Sequence, residues 1–219
     1  MYTLAFDTTG KSCSIALLKD NKTISVFNKS MDYGQSEILI PEIKNILNQN
    51  SLAFSDINLL AVCVGPGSFT GVRSSISAAR SFKIACPDLN LTGINAFDVY
   101  LNSLSQDELS DRNLVIIETK REDFYYQIFD KNLKPLTQPS AAAKEDIIKQ
   151  IHGKKITIIG DGVERFLYTP SGLSLNIVKT LDSISIEELA QLGIKRLKNK
   201  ALNHPKPLYI RAPDVCLKN

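Results

Sequence analysis

A tight glycine turn is the feature of this sequence best suited to binding an anion. Residues 65–73 read GPGSFTGVR, follow the apolar run 59–64 and lead into a helical stretch rich in alanine and serine. Glycine permits positive φ or a close approach of another backbone, and Ser68 or Thr70 can cap the helix that follows. Free amide N–H groups make such a helix end slightly positive. The turn could therefore receive a phosphate or a partner's backbone, or it could serve as a turn alone.

The turn matches neither of the two common phosphate-binding motifs. A Walker A loop ends in Gly-Lys-Ser/Thr, whereas here Thr70 and Gly71 follow and no lysine reaches a phosphate. The dinucleotide pattern G-x-G-x-x-G fails because Thr70 stands where its third glycine is required. A nucleotide site of either common type is therefore not indicated.

A second polar set, Asp7, Thr8 and Thr9, follows the first apolar segment. An aspartate can orient a metal ion or a water molecule, and threonine hydroxyls can bind phosphate. The same residues can instead satisfy the turn before Cys13. Arg73 lies in the first turn of its helix, where a cation is unfavourable, so it favours an acidic or phosphate partner inside or outside the chain.

The composition indicates a globular protein of one or two domains. The 219 residues carry a net charge of +3, which does not indicate a nucleic-acid partner. From residue 195 onward, however, seven lysines or arginines accompany a single aspartate, so this tail could contact RNA or form a solvated surface. With no signal-peptide pattern and no apolar run of about 20 residues, we expect a cytoplasmic protein without a membrane segment.

Metal and triad chemistry are not indicated. The cysteines show no C-x-x-C spacing, and His152 and His204 form no H-E-x-x-H or comparable cluster. The cysteines are expected to be small buried residues in a reducing compartment. We therefore predict no metal site and no histidine-dependent catalytic triad.

Short strands and amphipathic helices recur in the order βββαβα. The first half is predicted to contain strands at 4–7, 13–18, 23–27, 59–64 and 91–94, and helices at about 36–47, 70–85 and from 96. The second half is predicted to contain strands at 114–118, 124–129, 134–137 and 156–159, and helices at 143–151 and 185–198. Ser36 is the predicted cap of the first helix. The repeated order predicts a duplicated α/β fold with mixed sheets, subdomains 1–104 and 105–219, and a cleft between them.

The residues that join these elements resemble the TsaB (YeaZ) family over essentially the full length. The matching pieces are Asp7-Thr8-Thr9, Gln35-Ser36-Glu37 with Pro41, GPGSFTGVR, Gly160-x-Gly162, and PLYIR at 207–211. The resemblance implies the actin-like ATPase and sugar kinase fold, which is ribonuclease H-like. It also implies a non-catalytic paralogue, or pseudoenzyme, of the transferase TsaD that is required for threonylcarbamoyladenosine formation at adenosine 37 of tRNA.

The resemblance also places the residues that would have held a metal. In TsaD a helix carries two metal-binding histidines, whereas here Ala96 and Tyr100 stand at those positions, and neither binds a metal as imidazole does. It therefore implies no catalytic residue, no metal and no cofactor. The remnant of the ancestral phosphate site is predicted to be Asp7, Thr8, Thr9, Gly65, Gly67 and Ser68.

The partners implied are TsaD in a heterodimer and the ATPase TsaE in a ternary complex, with a tRNA contact through the complex and a homodimer when the chain is alone. Small side chains recur along the helix at 70–85, which lets backbones approach closely. The predicted partner interface is Ser36, Leu39, Ile43, Leu47, Val72, Ser75, Ala78, Arg80 and Phe82. The same faces could instead pack on the protein's own sheet.

The sequence departs from the family pattern at several positions. Family members often carry His at Gln35, Gly at Ser75 and Ser81, and Asp-Ala-Arg at Glu118-Thr119-Lys120. Glu118 and Lys120 could still form a local ion pair. Two other functions stay open at this point: an autonomous nucleotide-binding ATPase or kinase of the same fold, and a peptidase, for which no catalytic constellation is present.

Overall fold

The computed structural model describes residues 1–151, 153–168 and 173–211, so His152, Cys216 and the last part of the basic tail lie outside the described residues. Within them, ten strands form two five-stranded sheets. The helices of these residues include none that is long and apolar enough to cross a membrane.

The first sheet has the strand order β3-β2-β1-β4-β5. Its strands are β1 (Tyr2–Asp7), β2 (Ser12–Lys19), β3 (Lys22–Ser30), β4 (Ile57–Cys63) and β5 (Asn90–Ile94). The first three strands pair antiparallel, and β4 and β5 run parallel to β1. The accompanying helices are α1 (Gln35–Gln49), α2 (Phe69–Ala85) and α3 (Ala96–Asn102), with 3₁₀ turns at Phe54–Asp56 and Gln106–Glu108.

The second sheet repeats the same order as β8-β7-β6-β9-β10. Its strands are β6 (Arg112–Glu118), β7 (Phe124–Phe129), β8 (Ser140–Ala142), β9 (Lys155–Gly160) and β10 (Ser174–Thr180). The helices of this half of the sequence are α4 (Lys144–Ile151), α5 (Val163–Leu167) and α6 (Ile186–Lys198). The predicted duplicated α/β fold of the actin-like class is confirmed by this repeated topology.

Two local predictions are wrong, and strand β10 and the short helix α5 were not predicted. The short third strand lies at Ser140–Ala142 rather than at 134–137, because the Asp130 carboxylate accepts from the N–H groups of Asn132 and Lys134 and closes a turn there. Strand β10 was not predicted, since it is an edge strand with mostly exposed or half-buried residues and little apolar signal. Ser36 does not cap α1, because the helix begins one residue earlier, after Gly34 in the left-handed region.

The core joins the two halves. Helices α1 and α2 cover one face of the first sheet, and α6 returns from the end of the chain to cover the other, placing Leu189, Ala190 and Ile194 on that sheet. The packing is close, since a Cβ on Gly193 would meet Ala61 at 2.7 Å. The Arg196 guanidinium fixes this end of α6 by an ion pair with the Asp98 carboxylate, at 3.2 Å. The subdomain boundary after residue 104 stays a prediction.

Candidate functional site

A cleft of about 1030 Å³ lies between the two halves. Its walls come from the end of β1, the glycine turn with the start of α2, the end of β6, the turn after β9, and residues 208–211. The carboxyl ends of the central parallel strands of both sheets therefore open into it, which is where open α/β sheets usually bind ligands. The cleft is the candidate functional site.

The glycine turn is filled by the protein's own backbone. The N–H of Ser68 donates to the Thr9 carbonyl at 2.8 Å, and a Cβ on Gly67 or Gly71 would overlap the carbonyl oxygen of Thr9 or Thr8. The Thr8 hydroxyl donates to the Gly71 carbonyl at 2.7 Å. The predicted phosphate-site residues Asp7, Thr8, Thr9, Gly65, Gly67 and Ser68 are thus brought together.

The Ser68 cap is confirmed, because its hydroxyl accepts from the Gly71 N–H at 3.4 Å. Gly65 has a φ of +93°, a conformation that side chains rarely adopt, and its carbonyl accepts from the Ala96 N–H at 2.8 Å. The turn therefore sets the direction of α2 and also anchors the start of α3.

The floor of the cleft carries buried acids. Asp7 is 1% exposed, and its carboxylate accepts from the Thr9 N–H at 2.8 Å. Burial raises the pKa of Asp7 above its ordinary value, against the opposing effect of these hydrogen bonds. Within the described part of the chain, no lysine or arginine forms an ion pair with it. A phosphate placed on this floor would meet an acidic group instead of a cation.

Asp161 is the site residue that sequence reasoning missed. It follows β9, and its carboxylate accepts from the Glu118 N–H at 2.9 Å. Burial raises the pKa of Asp161 to about 7, and the nearby charge of Glu118 adds to the rise. The sequence feature that could have revealed Asp161 is the second glycine turn, Gly160-Asp161-Gly162, because the duplication places this turn at the cleft.

Tyr100 lies close to both acids. Its side chain is 2% exposed, and burial together with the charges of Asp161 and Asp7 raises its pKa well above the ordinary value of a phenol. Tyr100 and Ala96 both line the cleft, so the positions implied by the family resemblance do face it. Among the residues with described positions, no group of three or more His, Cys, Asp or Glu side chains is arranged to hold a metal ion.

Glu118 forms its ion pair with Arg165 rather than with Lys120. The Arg165 guanidinium donates to both carboxylate oxygens at 2.7 and 2.8 Å and lies over the Phe124 ring at 3.7 Å. Although burial opposes it, the hydrogen bonds from Arg165 and from the Lys120 N–H lower the pKa of Glu118. The Lys120 ammonium lies 3.7 Å from exposed Asp32 instead. The local ion pair expected between Glu118 and Lys120 is therefore not formed.

Most of the predicted partner interface is buried in the protein's own core. The predicted residues that pack between the helices and the first sheet are Leu39, Ile43, Leu47, Val72 and Ser75, each at most 5% exposed. The prediction that these five residues lie at a partner surface is wrong, because helical apolar periodicity marks the face that covers the protein's own sheet. Ser75 is held by Thr8, whose hydroxyl lies 2.8 Å from the serine oxygen.

The remaining members of the predicted interface lie at or near the surface. Ser36 and Arg80 are exposed, and Ala78 and Phe82 are half-buried. The Arg80 guanidinium donates to the Pro205 carbonyl at 2.7 Å, and the Phe82 ring stacks on Phe54 at 4.2 Å. That these helices bind a partner stays a prediction, and only their exposed side chains are available for such an interface.

The comparisons with known proteins agree on one family. The model of a family described as TsaD, tRNA N6-adenosine threonylcarbamoyltransferase, matches residues 33–211. The tRNA threonylcarbamoyladenosine biosynthesis protein TsaB of Escherichia coli is 26% identical over 223 residues, which cover 96% of this chain and 95% of that protein. The protein of the same name in Haemophilus influenzae is 23% identical, over 95% of this chain and 92% of its own length.

A solved structure shows the same fold. YeaZ from Pseudomonas aeruginosa superposes with a TM-score of 0.78 at 17% identity, over 95% of this chain and 99% of that chain. Most of the residues that carried the sequence resemblance lie around the cleft, and the family model spans most of the chain. The chain therefore belongs to the TsaD family and, within it, to the TsaB (YeaZ) branch that its motifs indicated.

Proposed function

We propose that this protein is a cytoplasmic, non-catalytic subunit required for forming N6-threonylcarbamoyladenosine at adenosine 37 of tRNA. It binds and activates the transferase TsaD, and the ATPase TsaE joins them in a ternary complex. Membership of the TsaB branch supports the pathway, since the curated relatives bear the name of that biosynthesis. The relatives' names state neither the partners of the protein nor whether it is catalytic, so both are parts of the proposal.

The observation that carries the non-catalytic role is the occupied glycine turn. In an ATPase of this fold class the turn and the Asp7 loop would face a phosphate. Here the Ser68 N–H donates to the Thr9 carbonyl instead, so it is not available to a phosphate. The floor beside the turn carries two buried acids, Asp7 and Asp161, and among the described residues no lysine or arginine forms an ion pair with Asp7. These contacts favour an inherited scaffold over an autonomous ATPase or kinase.

Activation without catalysis requires differential binding. A subunit shifts its partner towards the active conformation only if it binds that conformation more tightly than the inactive one. The surface available for this on α1 and α2 includes Ser36, Ala78 and the exposed apolar residues Ile40 and Ile84, which are 46% and 80% exposed. A specific interface needs about 800 Å² per partner, so both helices contribute. The same face forms a homodimer when TsaD is absent.

Reconstitution tests the proposed function directly. Cognate TsaD and TsaE are mixed with ATP, the threonylcarbamoyl donor system and unmodified tRNA, with and without this protein, and modified adenosine is measured. We expect modification to be lost when this protein is left out. We also expect the isolated protein to show neither ATP hydrolysis nor nucleotide-dependent thermal stabilisation. Equal modification in its absence would show that the proposal is wrong.

The partner surface is tested by Ala78→Glu. Ala78 is half-buried on α2, so a glutamate can reach water while it places a charge and extra volume in the proposed interface. We expect at least about a tenfold loss of affinity for TsaD, which corresponds to about 1.4 kcal/mol, with little change in melting temperature. Ala201→Glu is the matched control, because Ala201 is exposed beyond α6. Equal affinities of both variants would move the interface elsewhere.

A further inference from the structure

Three side chains form an exposed cluster at the mouth of the cleft. The Arg73 guanidinium lies 3.9 Å above the centre of the Phe69 ring, and its Nε donates to the Tyr209 hydroxyl at 3.2 Å. The two rings lie 5.5 Å apart at an angle of 32°. We call Phe69, Arg73 and Tyr209 the aromatic–arginine cluster; it joins the start of α2 to the end of the described chain.

The cluster is ordered but open to solvent. Phe69 and Tyr209 are 37% and 43% exposed, and Arg73 is exposed. Mutual contacts orient the three side chains, since Arg73 lies over the Phe69 ring and donates to Tyr209. The backbone next to Tyr209 is held by the Leu208 N–H, which donates to the Val64 carbonyl at 2.8 Å. Two aromatic faces are therefore held in fixed positions at the surface, which lowers the entropy cost of stacking another ring on them.

Arg73 retains binding capacity for an anion. Its Nε contacts Tyr209, and among the described residues no acidic side chain pairs with its guanidinium. A cation in the first turn of a helix is unfavourable, so the position is not explained by helix stability. A guanidinium whose plane is fixed by an aromatic ring is well arranged to donate two parallel hydrogen bonds to a phosphate.

Further cations and aromatic rings surround the cluster. The other lining residues of these types include Lys11, Lys120 and Tyr33, whereas Arg211 is paired with Asp123. Tyr33 is 85% exposed, and the Lys120 ammonium lies 3.7 Å from the carboxylate of exposed Asp32. Asp7 and Asp161 lie on the floor of the cleft, and Glu118 is paired with Arg165. The remaining acid of the described lining is exposed Asp32, which lies beside Lys120. The mouth is therefore positive and aromatic, above an acidic floor.

We propose that the mouth of the cleft binds single-stranded RNA, with a base stacked on the rings of Phe69 and Tyr209 and the adjoining phosphate held by Arg73. Aromatic faces beside cations are the usual means of binding unpaired nucleotides, and such stacking tolerates any base. This inference rests on the proposed function, because it assigns the mouth to unpaired nucleotides of the tRNA substrate.

Fluorescence anisotropy with a labelled, unmodified anticodon stem–loop RNA tests the proposal, using this protein alone and mixed with TsaD. Arg73→Ala and Tyr209→Ala are each expected to weaken binding by about fivefold or more. Arg73→Ala should also lower the slope of log affinity against log salt by about one. Tyr209→Phe keeps the ring and is expected to retain most of the affinity. Lys22→Ala, exposed at the start of β3, is the charge-matched control.

The remaining outcomes separate this inference from its rivals. Absence of RNA binding, or equal affinities of all variants, would overturn it. Tighter binding of free AMP than of the RNA, with the same dependence on Arg73, would make the mouth a small-nucleotide site instead. Loss of TsaD binding by Arg73→Ala would make it a protein contact. If the protein proves dispensable for modification while Arg73-dependent RNA binding persists, the proposed function fails and this inference stands.

Discussion

Replacing Gly71 with alanine is expected to destabilise the protein by about 2–4 kcal/mol. A Cβ at this position would overlap the carbonyl oxygen of Thr8 and would lie 2.9 Å from its carbonyl carbon. Both groups belong to backbone, so no side-chain rotation relieves the clash. The Thr8 loop would have to move away from α2, and the hydrogen bonds from Thr8 to Gly71 and Ser75 would lengthen or break.

Urea unfolding of the wild type and the variant measures this change in free energy. Gly10→Ala is the matched control. Gly10 lies in the β1–β2 loop that also carries Thr8, and a Cβ on it would meet no atom within 4 Å. The control is expected to stay within about 1 kcal/mol of the wild type. If both substitutions cost the same, the close approach of Thr8 to Gly71 does not define the site.

The duplicated fold was accessible from the sequence because its signals are local. Apolar runs of strand length and helical periodicity alternate in the same order in both halves, and short turns join them. Strand β10 carries little of this signal, since most of its side chains remain partly exposed at the sheet edge. The turn closed by Asp130 likewise depends on a side-chain hydrogen bond that periodicity does not reveal.

The partner face illustrates a limit of periodicity. Leu39, Ile43 and Leu47 recur at helical spacing, which predicts one apolar side of α1 but not what covers it. In the structure they pack on the first sheet, and the outward side of α1 presents Ser36 and Ile40. A docking surface is therefore better sought among exposed residues whose types are unusual for a surface than along the apolar stripe.

The chemistry of the cleft could be predicted only in part. The Asp7 loop and the glycine turn are recognisable as motifs, and the structure brings them together. Their mutual packing was not predictable, because it depends on two loops that are about 60 residues apart in sequence. Asp161 gave no local sign of burial, since its neighbours include Glu118 on β6 and Tyr100 on α3, which are distant in sequence.

Asp161→Asn is expected to stabilise the protein at neutral and alkaline pH. Burial raises the pKa of Asp161 from 3.8 to about 7 in the folded protein. Between these values the folded state binds a proton that the unfolded state has released, so the free energy of unfolding falls as the pH rises from about 4 to about 7. Above pH 7 both states are ionised and the penalty is constant. Asparagine remains neutral and still accepts the hydrogen bond from the Glu118 N–H.

The expected difference between variant and wild type is therefore small near pH 4 and grows to about 2–4 kcal/mol at pH 8, at about 1.4 kcal/mol for each pH unit by which the pKa is raised. Urea unfolding at pH 5, 6, 7 and 8 measures it. The raised pKa of Asp7 contributes a slope of the same sign to both proteins and cancels in the difference. Asp88→Asn, at an exposed position, controls for the loss of one negative charge. A difference that is independent of pH would mean that Asp161 is ionised throughout and that the floor of the cleft is more strongly acidic than its burial indicates.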